Sequence, residues 1–144
     1  MIAVDANILV YAHREDSPHH VAALSALDEL VQGTGTWAIP WPCIHEFLAI
    51  VTHPRIYSPP TPPEVALSAV AALSAAPNAR FLHESAAHLD ELRRMLSRGD
   101  VVGARVHDAR VAAICVTHGV SELWSADRDF SWFPELRTVN PLAR

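Results

Sequence analysis

Short apolar runs alternate with amphipathic helical stretches along this chain, and that alternation constrains the fold more than any other feature of the sequence. Five runs have the length of strands, at residues 2–4, 36–40, 79–82, 122–124 and 137–139. Helical periodicity occupies residues 7–13, 19–32, 42–53, 63–76, 86–97 and 105–118. Because strands that alternate with helices over short connections pair in parallel and are covered on both faces, the pattern predicts an α/β fold around a parallel sheet of about five short strands.

The length of 144 residues, half of them hydrophobic, suits one compact domain, and we expect a single domain over residues 1–144. Residues 54–63 contain five prolines, which we interpret as an ordered surface excursion and not as a linker. The chain opens without a signal-peptide pattern, and no apolar run reaches the ~18 residues of a membrane span. These features predict a cytoplasmic protein without a membrane segment.

The charge balance is acidic, with 16 acids against 11 bases, and every base is an arginine. Affinity for nucleic acid normally comes from a basic surface, so binding of nucleic acid through bulk charge is not expected. A group of acids that holds divalent metal still makes a local receptor for phosphate. The composition therefore excludes a basic nucleic-acid-binding module but leaves a metal-dependent nuclease open.

Acidic side chains follow three of the predicted strands. Asp5 ends the first strand, Glu46 lies near the start of the helix after the second, and Asp127 follows the fourth. In parallel α/β sheets, ligands bind beyond the carboxyl ends of the strands, so these acids are expected to be neighbours. Each also has a simpler interpretation: a helix N-cap for Asp5, a favourable helix-dipole position for Glu46 and a turn for Asp127.

Asp108 interrupts the apolar stripe of the last predicted helix. The other members of that stripe are Ala104, Val111, Ala112 and Cys115. An ionised carboxylate buried there without a partner would cost several kcal/mol, so it needs a cation or strong donors. A salt bridge to Arg105 or Arg110 would supply that partner, and a bound metal ion is the alternative.

Four carboxylates at one edge of a sheet predict a metal site. Like charges brought together repel one another and raise their own pKa values unless a divalent cation neutralises them. Carboxylate oxygens are hard ligands, which select Mg²⁺ or Mn²⁺ and not zinc. The predicted ligands are Asp5, Glu46, Asp108 and Asp127.

In these motifs the sequence resembles the PIN domain family. The resemblance is carried by the opening Ile2-Ala3-Val4-Asp5-Ala6-Asn7, by Glu46, by His107-Asp108-Ala109-Arg110, by His118-Gly119-Val120, by Ser125-Ala126-Asp127-Arg128-Asp129-Phe130 and by Asn140-Pro141-Leu142. The motifs span the whole chain, in order and at suitable spacing. The resemblance implies a PIN-like three-layer α/β/α sandwich and endoribonuclease activity on RNA.

Length and compactness point, within that family, to the VapC-type toxins of bacterial toxin–antitoxin pairs. This resemblance implies a VapB-like antitoxin as partner, a toxin homodimer, and the four acids named above as catalytic residues. It implies supporting roles for Asn7 and Ser125. The fourth acidic position is ambiguous, because Asp129 lies two residues beyond Asp127 and is able to share or replace its role.

The chemistry expected of such a site is hydrolysis of a phosphodiester by metal-activated water. Metal lowers the pKa of bound water, which then attacks the phosphorus in line, and metal and arginine neutralise the developing charge. The family implies products with 5′-phosphate and 3′-hydroxyl ends. The arginines that we consider candidates for RNA contact are Arg14, Arg55, Arg110 and Arg128.

Two other metal or phosphate chemistries fit the sequence less well. Cys43-x-His45 and Cys115-x-x-His118 suggest zinc, but their spacing matches no common zinc pattern and both cysteines fall in core positions of helices. The Asp-x-Asn that begins at Asp5 also resembles the start of haloacid-dehalogenase-type phosphatases and response-regulator receivers. Both of those families use a lysine, and this sequence has none.

The alternative from another functional class is a degenerate PIN scaffold that binds a partner or RNA without cleaving it. The presence of all four acids argues against that interpretation. A groove for an antitoxin helix would be lined by Trp37, Trp41, Phe47, Ile56 and Tyr57 if these side chains formed an exposed patch and not the core.

Overall fold

A computed structural model of the chain describes residues 1–143, and the side chain of Asp129 lies outside the described part. Its central sheet has five parallel strands in the order β3-β2-β1-β4-β5. The strands are β1 (Ile2–Val4), β2 (Trp37–Pro40), β3 (Ala79–Leu82), β4 (Glu122–Trp124) and β5 (Arg137–Val139). All five predicted strands are present, and the one predicted at 36–40 begins one residue later, so the predicted parallel sheet is confirmed.

Six helices flank the sheet. They are α1 (Ala6–His13), α2 (His20–Gln32), α3 (Trp41–Val51), α4 (Pro63–Ala75), α5 (His88–Leu96) and α6 (Arg105–Thr117). Each corresponds to a predicted helix, with ends that differ by no more than two residues. The sequence patterns did not indicate the two short 3₁₀ helices, Arg128–Trp132 and Pro141–Ala143. The α/β/α arrangement confirms the expected fold class.

The strand order places a topological switch point at the middle of the sheet. From β1 the chain builds outward through β2 to β3, and it then returns to place β4 and β5 on the other side of β1. Ala3 of β1 accordingly pairs with Ala38 of β2 on one side and with Leu123 of β4 on the other. In open α/β sheets the crevice beyond this point receives ligands, which directs attention to the ends of β1 and β4.

The core lies on both faces of the sheet, because side chains of a strand point alternately to opposite faces and successive residues of the central strands are buried. All four residues of β2 are buried, as is every residue of α6 from Val111 to Cys115. Cys43 and Cys115 are free and buried, as their positions in apolar helical patterns predicted. Gly119 follows His118, the C-cap of α6, and its φ of +75° lies in the region that favours glycine.

The proline-rich stretch 54–63 is a surface excursion that returns to the body of the protein. Its Thr61 is buried, and the Thr61 amide donates to the carbonyl of Val51 at 2.8 Å. Side chains at the end of α1 also contact it, because the Arg14 guanidinium donates to Thr61 Oγ1 at 3.2 Å. Within residues 1–143, no helix is both long and apolar enough to cross a membrane.

The five side chains suggested for an antitoxin groove do not form a single exposed surface. Trp37 and Phe47 are buried in the core, whereas Trp41 and Ile56 are exposed. Tyr57 lies under the guanidinium of Arg14, whose central carbon is 4.3 Å from the centre of the ring. These aromatic and apolar side chains therefore belong to different surroundings and do not share one face.

Candidate active site

A cavity of about 310 Å³ lies at the switch point, beyond the ends of β1 and β4. All four predicted acids line it: Asp5, Glu46, Asp108 and Asp127. Asp5 directly follows β1, Glu46 stands on α3 after β2, Asp108 is in the first turn of α6, and Asp127 follows β4. The structure thus brings together the side chains that the sequence places at three strand exits and one helix start.

Asp5 forms the base of the cavity and is 5% exposed. One of its oxygens accepts from the backbone N–H of Ala6 at 2.8 Å, so Asp5 is also the N-cap of α1, as the simpler interpretation predicted. The Cys43 thiol donates to the same oxygen at 3.4 Å. The other oxygen accepts from Ser125 Oγ at 2.7 Å and from Asn7 Nδ2 at 3.3 Å. Burial raises the pKa of Asp5, and the hydrogen bond from Ser125 is the strongest effect that opposes this rise.

Ser125 and Asn7 connect the two strand exits. Asn7 Nδ2 donates to Ser125 Oγ at 3.1 Å, and Asn7 Oδ1 accepts from the backbone N–H of Ala126 at 3.1 Å. Ser125 Oγ also accepts from the backbone N–H of Asp127 at 3.0 Å. One hydroxyl therefore contacts the acid after β1 and orients the backbone of the acid after β4. Asn7 and Ser125 thus both contact the Asp5 carboxylate, and their supporting roles remain a prediction.

Asp108 does not interrupt a buried stripe in the way that the periodicity predicted. Ala104, which was expected one turn earlier in that stripe, precedes α6 and is exposed, whereas continuous burial begins only at Val111. Asp108 is half-buried because it stands in the first turn, at the rim of the cavity. Of its two suggested arginine partners, Arg110 pairs with Glu84, and Arg105 lies over the ring of Trp132.

The pKa of Glu46 is affected by the other three carboxylates of the cavity. Although much of its side chain is exposed, partial burial at the cavity raises its pKa, and the charges of Asp5, Asp108 and Asp127 raise it further. The pKa of Asp5 is raised in part by Asp127. These mutual effects mean that the negative charges lie close enough to repel one another, which a divalent cation would relieve.

We expect Glu46→Gln to stabilise the metal-free protein at pH 7.5 and to change its stability little at pH 4. An acid whose pKa is raised on folding binds its proton more tightly in the folded state. Its contribution to stability is therefore present at low pH and falls as the pH rises through the folded-state pKa. Glutamine keeps the shape without the charge. The measurement is the Tm of both proteins in EDTA at the two pH values, with the exposed Glu15→Gln as control. Equal Tm changes at both pH values would contradict this electrostatic account.

The donor set of the cavity fits a hard divalent cation better than zinc. All four acids offer carboxylate oxygens, whereas burial raises the pKa of the Cys115 thiol to about 12 and also raises that of Cys43. Within residues 1–143, excluding Asp129, no three His, Cys, Asp or Glu side chains are close enough to enclose an ion by direct contact. Mg²⁺ characteristically keeps several waters and needs only one or two carboxylates, so the arrangement suits that ion.

The four candidate arginines occupy different places. Arg110 lines the cavity and its guanidinium is paired with Glu84. Arg128 is exposed and lines a neighbouring cavity. Arg14 is paired with Asp16 at 2.7 Å beside the proline-rich excursion, and Arg55 is exposed within that excursion. The structure therefore brings one of the four to the acids and a second to the adjoining surface.

Sequence reasoning missed a contact that joins the two segments carrying Asp108 and Asp127. The guanidinium of Arg105, at the start of α6, stacks on Trp132 at 3.7 Å from the ring centre. Trp132 ends the 3₁₀ helix that follows Asp127, and this helix also supplies Phe130 to the cavity wall. Such a contact contributes about 0.5–2 kcal/mol. No sequence pattern identifies a pair that is 27 positions apart and lies in two different elements.

Comparison with known proteins gives a consistent result over the whole chain. The model of the PIN domain family matches residues 2–136. A VapC ribonuclease from Mycobacterium bovis is 37% identical over 142 residues, which cover 99% of this chain and 96% of that protein.

Two solved structures share the fold. VapC20 of Mycobacterium tuberculosis, described as a toxin that cleaves the sarcin–ricin loop, has a TM-score of 0.67 at 18% identity and covers 91% of this chain and 93% of its own. VapBC2 of Rickettsia felis, solved with a DNA fragment from its promoter, has a TM-score of 0.67 at 22% identity and covers 97% of this chain and 98% of its own. At these identities the likeness concerns the fold.

Proposed function

This chain belongs to the PIN domain family, and from that membership we propose that it is a divalent-metal-dependent endoribonuclease, the toxin of a VapBC-type toxin–antitoxin pair. The observation that carries the proposal is the convergence of four carboxylates on one cavity at the switch point of the sheet. If these acids served only as helix caps or turn residues, nothing would require all four to line the same cavity. The ribonuclease relative, which aligns with 99% of the chain, supports the same activity.

The proposed metal site is formed by Asp5, Glu46, Asp108 and Asp127, some of which would reach the ion through bound water. A bound Mg²⁺ or Mn²⁺ would supply an activated water for attack on the phosphorus and would neutralise the charge that develops there. Ser125 and Asn7 hold the Asp5 carboxylate in one orientation by donating to the same oxygen. Arg110 offers a cation at the cavity wall for the phosphate.

The proposed partners follow from the family and from the charge of the chain. A net charge of −5 makes tight, non-specific RNA binding unfavourable, so RNA is recognised by its shape and by a few arginines. A VapB-like antitoxin is supported by the similarity of the fold to the toxin in a VapBC complex. We further propose that the chain forms a homodimer and that residues 1–144 act as one domain.

The test is cleavage of total bacterial RNA by the purified chain, freed from antitoxin, in Mg²⁺, in Mn²⁺ and in EDTA. We expect discrete fragments that require metal and carry 5′-phosphate ends. The fragments should disappear for Asp127→Asn, because the Asp127 side chain lines the cavity, and Asp129→Asn tests which of the two is the fourth acid. Asp28→Asn, an exposed acid on α2, is the matched control.

Each alternative has its own outcome in this experiment. Loss of cleavage in Asp129→Asn but not in Asp127→Asn would reassign the fourth acid. Cleavage that continues in EDTA would exclude the metal-dependent mechanism. If the folded wild-type protein cleaves none of several RNA preparations in either metal but still binds RNA or a protein partner, the chain is a binding scaffold.

A further inference from the structure

We infer that a second cavity, next to the catalytic one, binds the nucleotide adjacent to the scissile phosphate. This inference rests on the proposed ribonuclease function and extends it to a substrate subsite. The cavity has a volume of about 460 Å³, within the range of about 300–1,000 Å³ that ligand sites commonly have. The residues that matter to the argument are Asp127, Arg128, Ser131, Thr138 and Asn140.

The two cavities share a wall. Asp127 lines both of them, and Ser125, whose hydroxyl contacts Asp5 in the catalytic site, lines the second. A chain bound with its scissile phosphate among the acids would therefore pass Asp127 on its way to the second cavity. A flexible, repeating polymer such as RNA is suited to occupying two such adjacent sites.

The chemistry of the second cavity differs from that of the catalytic one. Among its described side chains, Asp127 is the single carboxylate, whereas four carboxylates line the catalytic cavity. Arg128 supplies an exposed guanidinium, which binds phosphate through two parallel hydrogen bonds. Phosphate is thus repelled less here than among unscreened acids, and it has a cation beside it.

Neutral hydrogen-bonding groups line the remainder of the cavity. Ser131 contributes a hydroxyl, and Asn140 contributes an amide whose oxygen accepts from the backbone N–H of Leu142 at 3.0 Å. That hydrogen bond holds the amide at the cavity wall. Hydroxyl and amide groups of this kind recognise base edges and the ribose 2′-hydroxyl, which distinguishes RNA from DNA.

The Thr138 hydroxyl gives an independent indication of a missing partner. Thr138 lies on β5 and lines the second cavity, and its Oγ1 is buried with no hydrogen-bond partner among the described residues. A buried hydroxyl that lacks a partner is unfavourable. Because Thr138 lines the cavity, a nucleotide bound there would offer this hydroxyl a partner.

The test combines two variants with matched controls. Thr138→Val removes the hydroxyl and keeps the shape, and Arg128→Gln removes the cation. The control for Thr138→Val is Thr117→Val, which removes a hydroxyl bonded to the carbonyl of Ala113 at the carboxyl end of α6. The control for Arg128→Gln is Arg93→Gln, which removes an exposed arginine on α5. Cut sites in total bacterial RNA are mapped for each protein by sequencing fragment ends, and KM and kcat are measured on a synthetic oligonucleotide that carries the main site.

We expect each of the two variants to raise KM roughly tenfold with kcat changed less than about threefold, because the subsite binds a part of the RNA that does not react. The nucleotide preference at one position beside the cut should weaken. Unchanged KM and unchanged cut sites in both variants would overturn the inference, although metal-dependent cleavage by the wild type would still support the ribonuclease.

A binding measurement keeps the two proposals separable if no cleavage is found. Fluorescence anisotropy of a labelled 12-nucleotide ribo-oligonucleotide reports affinity without any reaction. Weaker binding by Thr138→Val and Arg128→Gln than by their controls would support the subsite even for an inactive scaffold. Unchanged RNA affinity together with weaker binding of a co-expressed antitoxin would assign the cavity to the protein interface and overturn the nucleotide subsite.

Discussion

Replacing Asp108 with asparagine is expected to lower the rate of RNA cleavage at least about a hundredfold and to leave the protein folded. Asp108 lines the catalytic cavity from the first turn of α6, and its half-buried side chain lies outside the continuous core. Loss of one charged group directed at a reacting centre commonly costs about 10²–10³ in rate. The loss of this charge also lowers the repulsion on Glu46, which favours the folded state at neutral pH.

The measurement is the initial rate on an oligonucleotide that carries a mapped cut site, together with Tm in EDTA. Asp28→Asn removes an exposed acid from α2 and serves as the control for charge alone. Cleavage by Asp108→Asn within about threefold of the control would remove Asp108 from the active site. A large fall in Tm would instead mean that Asp108 stabilises the fold, as the salt-bridge interpretation holds.

Asp108 separates catalysis from stability better than Asp5 does. Asp5 caps α1, accepts from Cys43 and contacts Ser125 across the sheet. Its removal would take away a buried acceptor as well as a proposed metal ligand, and unpaired donors would remain. A loss of activity in a variant of Asp5 would therefore have two causes.

The sequence was sufficient to predict the sheet edge and three of the acids on it. Asp5, Glu46 and Asp127 follow strands whose parallel pairing is implied by the alternation of strands and helices. Since all strands of a parallel sheet point the same way, residues at their exits converge whatever the details of packing. This part of the site depends only on the order of strands and helices along the chain, and hydrophobic periodicity is sufficient to predict that order.

Features that depend on packing across the chain were not predictable in the same way. The helical periodicity correctly located α6 but wrongly placed Ala104 in a buried stripe, because periodicity does not show where a neighbouring element stops covering a helix. The suggested aromatic groove failed for the same reason. The second cavity depends on Thr138 and Arg128, which are ten positions apart on separate elements, and only the folded chain brings them to one wall.

The contact between Asn7 and Ser125 was predictable only in part from the sequence. The family resemblance implies supporting roles for these positions after β1 and β4, but the sequence does not give the direction of each hydrogen bond. In the structure, both side chains donate to the same oxygen of Asp5, Asn7 from two positions along the chain and Ser125 from 120 positions away. The site is therefore organised around one hydroxyl, that of Ser125, and this gives the second large prediction.

Ser125→Ala is expected to destabilise the protein by about 1–3 kcal/mol at pH 7.5 and to move the acid limb of the pH–rate profile to higher pH. Burial raises the pKa of Asp5, and the Ser125 hydrogen bond is the largest effect that lowers it. Without the hydroxyl the pKa of Asp5 rises further. The ionised carboxylate that metal binding requires is then reached only at higher pH.

The stability change has a pH dependence of its own. Ser125 Oγ donates to the charged form of Asp5, so the stabilisation that the hydroxyl gives is largest at pH values above the pKa of that acid and shrinks as the pH falls through it. The measurements are urea unfolding at pH 7.5 and pH 4.5 and the cleavage rate from pH 5 to 9. Ser68→Ala, which removes an exposed hydroxyl bonded to a helix carbonyl on α4, is the control. If the acid limb does not move in a folded Ser125→Ala protein, ionisation of Asp5 does not limit cleavage. Glu46, whose pKa is also raised, would then be the next acid to test.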